Sequence, residues 1–312
     1  MKPSNNIIAF PVAAAAGRAR QPQQHNAAPT IIDLSSRRAD AEAATVQQPS
    51  YSLTPGEVWD ALNDGRLQMH YQPQYDLVTG MTVSAEALIR LVDTDGQLIY
   101  PDRFIEMVEG SDLIVPLGRA VIEQVCADLA ASRAAGITLQ RVAINLSARQ
   151  LKTDAGLLDF IDRTLVVNGL QHDDLEFELT ERQGLSPDCL GLLVLSALAE
   201  RGARIVIDDF GIGYSSIIYL TALPTAAFKL DRALVSRLTE DQTLQSVVKS
   251  LLTLAKDLKL DVVAEGIETD EQRDYLAQAG CPYGQGFGYA KPMPIGDLQA
   301  FLTERGAVTG HC

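Results

Sequence analysis

The feature that most constrains the fold is an apolar run that ends in two adjacent carboxylates. Residues 205–207 are β-branched, and Asp208, Asp209 and a glycine-containing segment follow them directly. A short apolar run of this kind is typical of a parallel strand that is buried on both faces. Successive side chains of a strand point to opposite sides, so both carboxylates can share one site only where the strand gives way to a loop. Alternatively, the pair simply ends the strand and caps the next helix.

The rest of the chain alternates between strand-like and helix-like segments, which indicates an α/β fold. Capping boxes at 54–57 and 269–272 predict the starts of two helices. Eight strands alternating with helices over about 250 residues favour a TIM-type (β/α)8 barrel over an open sheet. The first two strands are joined by a short turn at 76–80, so we expect one early strand to run antiparallel. The predicted strands are 67–72, 82–89, 141–145, 175–179, 205–207, 226–230, 261–264 and 284–287.

Sequence composition divides the chain into a tail and a folded part. Residues 1–52 are rich in Ala, Gln, Pro, Ser and Arg and lack periodicity, so we expect a flexible, disordered N-terminal tail. The apolar stretch 7–16 resembles a signal-peptide core, but Pro11 interrupts it and only Lys2 precedes it. We expect the barrel to occupy 53–306 and a short C-terminal tail to occupy 307–312.

Charge and cysteine content exclude several classes of protein. A formal net charge of −14 argues against binding to duplex DNA or RNA, which requires a basic surface. A small anionic ligand remains compatible if metal ions reverse the charge locally. The four cysteines form no C-x-x-C pair, which fits a reducing compartment, and no apolar run approaches the roughly 20 residues of a membrane span. We therefore expect a soluble, cytoplasmic protein without a membrane span.

Polar residues lie at the ends of the predicted strands, and from Asn145 onward they recur at intervals close to one barrel unit. These residues are Glu86, Asn145, Glu178, Asp208 with Asp209, Lys229, Glu265 and Gln285. Each alone has an ordinary explanation, such as helix capping or a surface ion pair. Together they would meet at the carboxyl-terminal rim, where carboxylates repel one another unless cations lie between them. Their all-oxygen donor set suits Mg²⁺ or Mn²⁺ rather than zinc, and the four histidines form no cluster.

Nine short motifs in the same order resemble those of the EAL domain family, over about residues 55–304. They are YQP at 71–73, EALIR at 86–90, NLSARQ at 145–150, ELTE at 178–181, DDFG at 208–211, YSS at 214–216, KLDR at 229–232, AEGIET at 264–269 and QG at 285–286. The resemblance implies a barrel phosphodiesterase that opens cyclic di-GMP to linear pGpG by means of a water activated by two metal ions.

The resemblance also implies a role for each matched residue. Two Mg²⁺ or Mn²⁺ ions per active site would be held by Glu86, Asn145, Glu178, Asp208, Asp209 and Glu265. Lys229 would orient the attacking water and help to deprotonate it, with Glu265 and Glu86 as further catalytic residues. Cyclic di-GMP would contact Gln72, Arg90 and Gln285. A loop supported by Glu181, Phe210 and Gly211 would couple metal binding to dimerisation, so we expect a homodimer. We also expect the N-terminal tail to bind a regulatory protein partner.

The sequence departs from the family pattern at three positions and leaves alternatives open. Ile212 stands in place of Thr, Leu91 in place of Trp and Pro282 in place of Asp, and no ligand is lost. Ile212 is the departure that bears on metal occupancy or on control by a partner. No GGDEF segment precedes the domain, so we expect no synthesis of cyclic di-GMP. The alternatives are an inactive member that acts as a cyclic di-GMP receptor or protein-interaction module, and an unrelated Mg²⁺-dependent barrel such as an enolase-type lyase.

Overall fold

The structure, a computed structural model, describes residues 53–180, 190–211, 220 and 222–304. Its strands are β1 (Leu67–Asp76), β2 (Thr82–Val92), β3 (Leu98–Ile99), β4 (Arg141–Asn145), β5 (Leu175–Thr180), β6 (Arg204–Phe210), β7 (Thr225–Leu230), β8 (Asp261–Ala264), β9 (Tyr283–Gly284) and β10 (Met293–Pro294). Its helices are α1 (Pro55–Asn63), α2 (Ile105–Glu109), α3 (Ile114–Ala134), α4 (Ala148–Thr153), α5 (Leu157–Asn168), α6 (Leu190–Glu200), α7 (Arg232–Val235), α8 (Gln242–Leu258), α9 (Asp270–Gln278) and α10 (Ile295–Glu304). The expectations for both tails, Glu181, Ile212 and the YSS motif fall outside the described residues.

Eight strands close into a barrel, in the order β1, β2, β4, β5, β6, β7, β8, β9 and back to β1. From β2 round to β9, each strand lies parallel to the next. β1 runs antiparallel to both of its barrel neighbours, β2 and β9. The prediction of a (β/α)8 barrel with one early antiparallel strand is confirmed. The short strands β3 and β10 pair with the edges of β2 and β1, outside the ring.

Side-chain alternation separates the barrel lumen from the helix-covered outer face. Tyr71 and Ala87 are cross-strand partners, and both belong to the apolar cluster that includes Ile122 of α3. The next pair along the ladder, Gln72 and Glu86, must therefore face the lumen. This alternation explains why polar side chains lie buried inside the barrel while apolar ones pack under the helices.

The predicted helix starts are confirmed, whereas several element bounds differ. Capping boxes begin α1 at Thr54 and α9 at Thr269. The last barrel strand was predicted at 284–287 but ends at Gly284, because the backbone turns at 286–289. The helix predicted at 101–108 is a 3₁₀ turn followed by α2, and that predicted near 154–168 begins only at Leu157. Among the described residues, no helix has the length and apolar content needed to cross a bilayer.

Candidate functional site

The carboxyl ends of neighbouring strands deliver polar side chains to one cluster, in which most members are buried, Asp209 and Glu265 are half-buried and Asn145 is exposed. The contributors are Glu86 of β2, Asn145 of β4, Glu178 of β5, Asp208 and Asp209 of β6, Lys229 of β7 and Glu265 directly after β8. Strand register produces the convergence, since Asn145 lies opposite Glu178 in the parallel ladder and Thr180 lies opposite Asp208. We call this set, together with Gln285, the acidic cluster.

Lys229 lies at the centre of the acidic cluster and has no solvent exposure. Its Nζ atom donates hydrogen bonds to Oε2 of Glu178 at 2.9 Å and to Oε2 of Glu86 at 3.1 Å. It also lies 2.7 Å from Oε1 of Glu265 and 3.6 Å from Oδ1 of Asp208. One ammonium group thus connects carboxylates from β2, β5, β6 and the end of β8.

The crowding of these charges shifts their pKa values in different directions. Burial alone would lower the pKa of Lys229, but the four surrounding carboxylates raise it well above 10.5. Burial raises the pKa values of Glu178 and Glu265 well above 4.5, and neighbouring carboxylates raise them further. Burial also opposes ionisation of Glu86, but the charge of Lys229 and the hydrogen bonds from Gln285, Asn145 and Lys229 together outweigh it, so the pKa of Glu86 is lowered. Without divalent ions, Lys229 is therefore held in its ammonium form rather than poised to accept a proton.

Asp209 adopts a conformation that few non-glycine residues adopt. Its φ angle is 57°, in the left-handed region, and the ladder between β6 and β7 is irregular from Ile207 to Phe210. The Asp209 amide donates a 2.8 Å hydrogen bond to Oδ1 of Asp208. Asp and Asn tolerate this region better than most residues because their short polar side chains bond locally. The irregularity lets carboxylate oxygens of Asp208, Asp209 and Glu265 lie within 4.8 Å of one another.

A chain of polar side chains inside the barrel holds Gln285, and two of its members were missed by the sequence analysis. Ser84 donates to Oε1 of Gln74 at 2.6 Å, and Gln74 donates to Oε1 of Gln285 at 2.9 Å. Gln285 in turn donates to Oε2 of Glu86 at 2.7 Å and to Oε1 of Glu265 at 3.2 Å. The signal for Gln74 was available, because a residue two positions beyond Gln72 on a strand faces the same side.

The remaining predicted residues lie around the acidic cluster rather than within it. Gln72 is the cross-strand partner of Glu86 and donates a 3.1 Å hydrogen bond to the carbonyl of Ala290. Arg90 lies four residues beyond Glu86 on the same strand, a distance of about 13 Å along that strand. Its guanidinium carbon lies over the ring of Tyr100, 4.7 Å from the ring centroid.

Phe210 and Gly211 follow the paired aspartates but do not join the acidic cluster. The Phe210 ring is buried and packs against Phe228 at 4.6 Å between ring centroids. Gly211 has a φ angle of 105°, so the chain turns immediately after β6. Both residues support the backbone that carries Asp208 and Asp209.

The donor set of the acidic cluster fits divalent metal ions. Five carboxylates face one ammonium group, and such an excess of buried negative charge is stabilised by cations. Oε1 of Glu178 is buried and has no hydrogen-bond partner in the described part of the chain. Oxygen-only ligands, two of them consecutive aspartates, are those that Mg²⁺ and Mn²⁺ prefer. Glu86, Asn145, Glu178, Asp208, Asp209 and Glu265 are the residues that would hold such ions.

Fold and site together define a (β/α)8 barrel with an acidic centre, competent to bind divalent ions, at the carboxyl ends of its strands. The model of the EAL domain matches residues 56–292, and the chain belongs to this family. The bifunctional diguanylate cyclase/cyclic di-GMP phosphodiesterase MucR of Pseudomonas aeruginosa is 35% identical over 240 residues, 77% of this chain and 35% of MucR. The cyclic di-GMP phosphodiesterase PdeR of Escherichia coli is 39% identical over 234 residues, 75% of this chain and 35% of PdeR.

Solved structures agree with this assignment. The PaMucR phosphodiesterase in complex with c-di-GMP has a TM-score of 0.72 and 34% sequence identity, covering 78% of this chain and 98% of that chain. The EAL enzyme Bd1971, bound to cAMP and cyclic-di-GMP, has a TM-score of 0.74 and 28% identity over 79% of this chain and 67% of that chain. This chain spans about a third of the length of the curated relatives MucR and PdeR.

Proposed function

We propose that this protein is a metal-dependent phosphodiesterase that hydrolyses cyclic di-GMP to linear pGpG. The observation that carries the proposal is the acidic cluster, in which Lys229 and Gln285 bring together carboxylates from separate strands. The family supports the substrate, because MucR and PdeR are named as cyclic di-GMP phosphodiesterases and PaMucR was solved with c-di-GMP. Every family position that we expect to hold metal or to contact the reacting phosphate is occupied by the expected residue type.

Each residue of the acidic cluster has a distinct task in this proposal. Asn145 donates to Oε1 of Glu86 at 3.0 Å and Gln285 donates to Oε2, so both carboxylate oxygens of Glu86 are oriented. In the absence of divalent ions, Lys229 holds a proton at Nζ and keeps Glu86, Glu178 and Glu265 within hydrogen-bonding distance of its ammonium group. Phosphodiester hydrolysis depends mainly on positioning and charge neutralisation, which a rigid, buried arrangement of this kind provides.

Two Mg²⁺ or Mn²⁺ ions, held by the six ligand residues, would supply a nucleophilic water at neutral pH and neutralise charge on the phosphate. The positive charge of these ions would lower the pKa of Lys229, so Lys229 would keep the attacking water in place and, as a neutral amine, take up the proton of that water. Arg90 and Gln72 lie on the lumenal side of β2 and β1 and would bind the dinucleotide beyond the acidic cluster.

The test is an activity assay on the purified 312-residue chain with cyclic di-GMP and Mg²⁺, or Mn²⁺ in a parallel series. Products are separated by chromatography, and an EDTA sample serves as the metal-free control. Glu265→Gln removes a carboxylate from the acidic cluster without changing its size. Glu268→Gln is its matched control, because Glu268 follows three residues later and is 46% exposed in its side chain, paired with Arg232.

We expect metal-dependent formation of pGpG by the natural sequence and by Glu268→Gln. For Glu265→Gln we expect the rate of pGpG formation to fall by about 100-fold or more, because the variant lacks a ligand that orients the reacting groups. If cyclic di-GMP remains intact with both metals, the hydrolase proposal is wrong. A binding measurement on the same sample then decides whether the chain is a cyclic di-GMP receptor or a protein-interaction module.

We further propose that the protein acts as a homodimer and that residues 1–52 bind a regulatory protein. Family membership supports the dimer, and the composition of the tail supports a segment that orders on binding. Light scattering coupled to size-exclusion chromatography measures the mass directly. A monomeric mass at micromolar concentration, with and without Mg²⁺, would contradict the dimer.

A further inference from the structure

The segment that follows β9 carries an exposed aromatic ring to the rim of the acidic cluster. Gln285 binds Glu86 and Glu265 through its side chain, and its amide donates to the carbonyl of Ala264 at 2.8 Å. Two residues later, Phe287 is 40% exposed. Phe287 therefore lies beyond the carboxyl ends of β8 and β9, on the side of the barrel where the acidic cluster opens.

The backbone on either side of Phe287 is held tightly. A Cβ atom on Gly286 would lie 2.2 Å from the carbonyl oxygen of Ile267, and one on Gly288 would lie 2.9 Å from that of Glu268. The Gly288 amide donates to the Ile267 carbonyl at 2.9 Å, and the Tyr289 amide donates to the Gly286 carbonyl at 3.1 Å, which closes a turn. Phe287 thus occupies the tip of a turn whose backbone packs closely against the segment that follows β8.

A positive charge accompanies the ring. Nζ of Lys291 lies 5.6 Å from the centroid of the Phe287 ring, and Lys291 is itself exposed. An exposed aromatic ring on a rigid turn offers a face for stacking a base, and every purine or pyrimidine has a π-face that suits it. The ammonium group of Lys291 lies over one face of the ring, where it is placed to attract a phosphate oxygen of the same nucleotide, and a base would stack on the other face.

We propose that Phe287 and Lys291 form a nucleotide subsite, in which the Phe287 ring stacks on a purine base of the substrate and Lys291 pairs with a phosphate oxygen. The subsite rests on the proposed function, since it supplies affinity for the dinucleotide whose phosphodiester reaches the acidic cluster. Phe287 and Lys291 contribute to binding and not to the chemical step, because neither side chain carries an oxygen ligand for a divalent ion.

The first experiment separates binding from chemistry. Phe287→Leu keeps an apolar side chain but removes the π-face, and Phe287→Tyr keeps the π-face. We expect Phe287→Leu to raise KM for cyclic di-GMP about ten-fold with kcat changed less than about two-fold, and Phe287→Tyr to resemble the natural sequence. Met81→Ala is the control for loss of an exposed apolar side chain, because Met81 is 49% exposed in the turn between β1 and β2, at the opposite end of the barrel. Lys291→Met should raise KM less and weaken its dependence on salt.

The second experiment detects stacking without catalysis. Trp59 is the single tryptophan of the chain, so Trp59→Phe combined with Phe287→Trp leaves one reporter at the turn. Saturable quenching of its fluorescence by cyclic di-GMP and by pGpG supports the subsite, even if the protein hydrolyses nothing and the hydrolase proposal fails. Turnover by the natural sequence together with unchanged KM in Phe287→Leu and no quenching would overturn the subsite and leave the hydrolase proposal standing.

Discussion

Asp208 and Asp209 are consecutive residues of β6, yet each has a carboxylate oxygen within 4.8 Å of the other and of Glu265. In a regular strand these two side chains would point to opposite faces of the barrel wall. The positive φ angle of Asp209 and the irregular ladder between β6 and β7 remove that separation. Local backbone strain at the end of one strand thus creates the pair of carboxylates that makes a divalent site feasible.

Asp209→Asn should separate the conformational role of this residue from its charge. Because Asn adopts the left-handed region readily, we expect its free energy of unfolding in EDTA to equal or exceed that of the natural sequence. Asp209→Ala should be less stable by about 1 kcal/mol, since Ala tolerates the left-handed region less well than Asp or Asn does. Both variants should lose the rise in Tm that Mg²⁺ or Mn²⁺ produces. Urea titrations and thermal melts measure these effects, and a full metal-induced shift in Asp209→Asn would refute its assignment as a ligand.

Lys229→Met should destabilise the metal-free protein by about 3–5 kcal/mol, because buried carboxylates then face one another without a cation. The loss should be larger at pH 8 than at pH 5.5, since the carboxylates can take up protons at the lower pH. Lys291→Met removes an exposed lysine and serves as the control, with an expected change below about 0.5 kcal/mol. Urea denaturation at both pH values provides the comparison. Equal stability of Lys229→Met and Lys291→Met would mean that Lys229 does not hold the acidic cluster together.

Glu178→Gln should gain stability relative to the natural sequence as the pH rises above 4.5 in the absence of metal. The pKa of Glu178 is raised well above 4.5 in the folded protein, so the folded state binds this proton more tightly than the unfolded state does. Stability from the protonated form is therefore complete below pH 4.5 and is lost as the pH rises through the folded value. Because Gln cannot ionise, the Glu178→Gln variant does not lose this stability as the pH rises. Unfolding free energies measured in EDTA between pH 4.5 and 8 should diverge in this direction, and parallel curves would contradict the raised pKa.

Cys126 and Cys281 should resist alkylation in the folded protein. Both are buried, and burial raises the pKa of each thiol to about 12, so almost no thiolate exists at pH 8. Replacing Cys189 and Cys312 with Ser leaves only these two thiols in the chain. Iodoacetamide at pH 8 should modify neither by mass spectrometry until urea unfolds the protein. Rapid modification under native conditions would show that one of the two is accessible or ionised.

The sequence predicted the barrel and most of the acidic cluster because the relevant signals are local. Alternating strand-like and helix-like segments require only neighbouring residues, and parallel strands of a barrel all end at the same rim. Glu86, Glu178, Lys229 and Glu265 could therefore be expected to converge before any contact was known. The bounds of short elements were less predictable, as in the last strand, where the turn after Gly284 depends on packing against residues 267–268.

The sequence by itself determined the order and type of the polar strand ends, and with them the fold class and the acidic character of the site. Only the tertiary structure decided which of these groups pair, because Lys229 and Glu86 are 143 residues apart and meet only when the barrel closes. The tertiary structure also brings Gln74 into hydrogen-bonding contact with Gln285, which is 211 residues away in the chain. It likewise places Asp209 in the left-handed region, so that its carboxylate lies close to that of Asp208. Local patterns specify where side chains point along one strand, whereas pairing, burial and the resulting pKa shifts depend on strands that are distant in the chain.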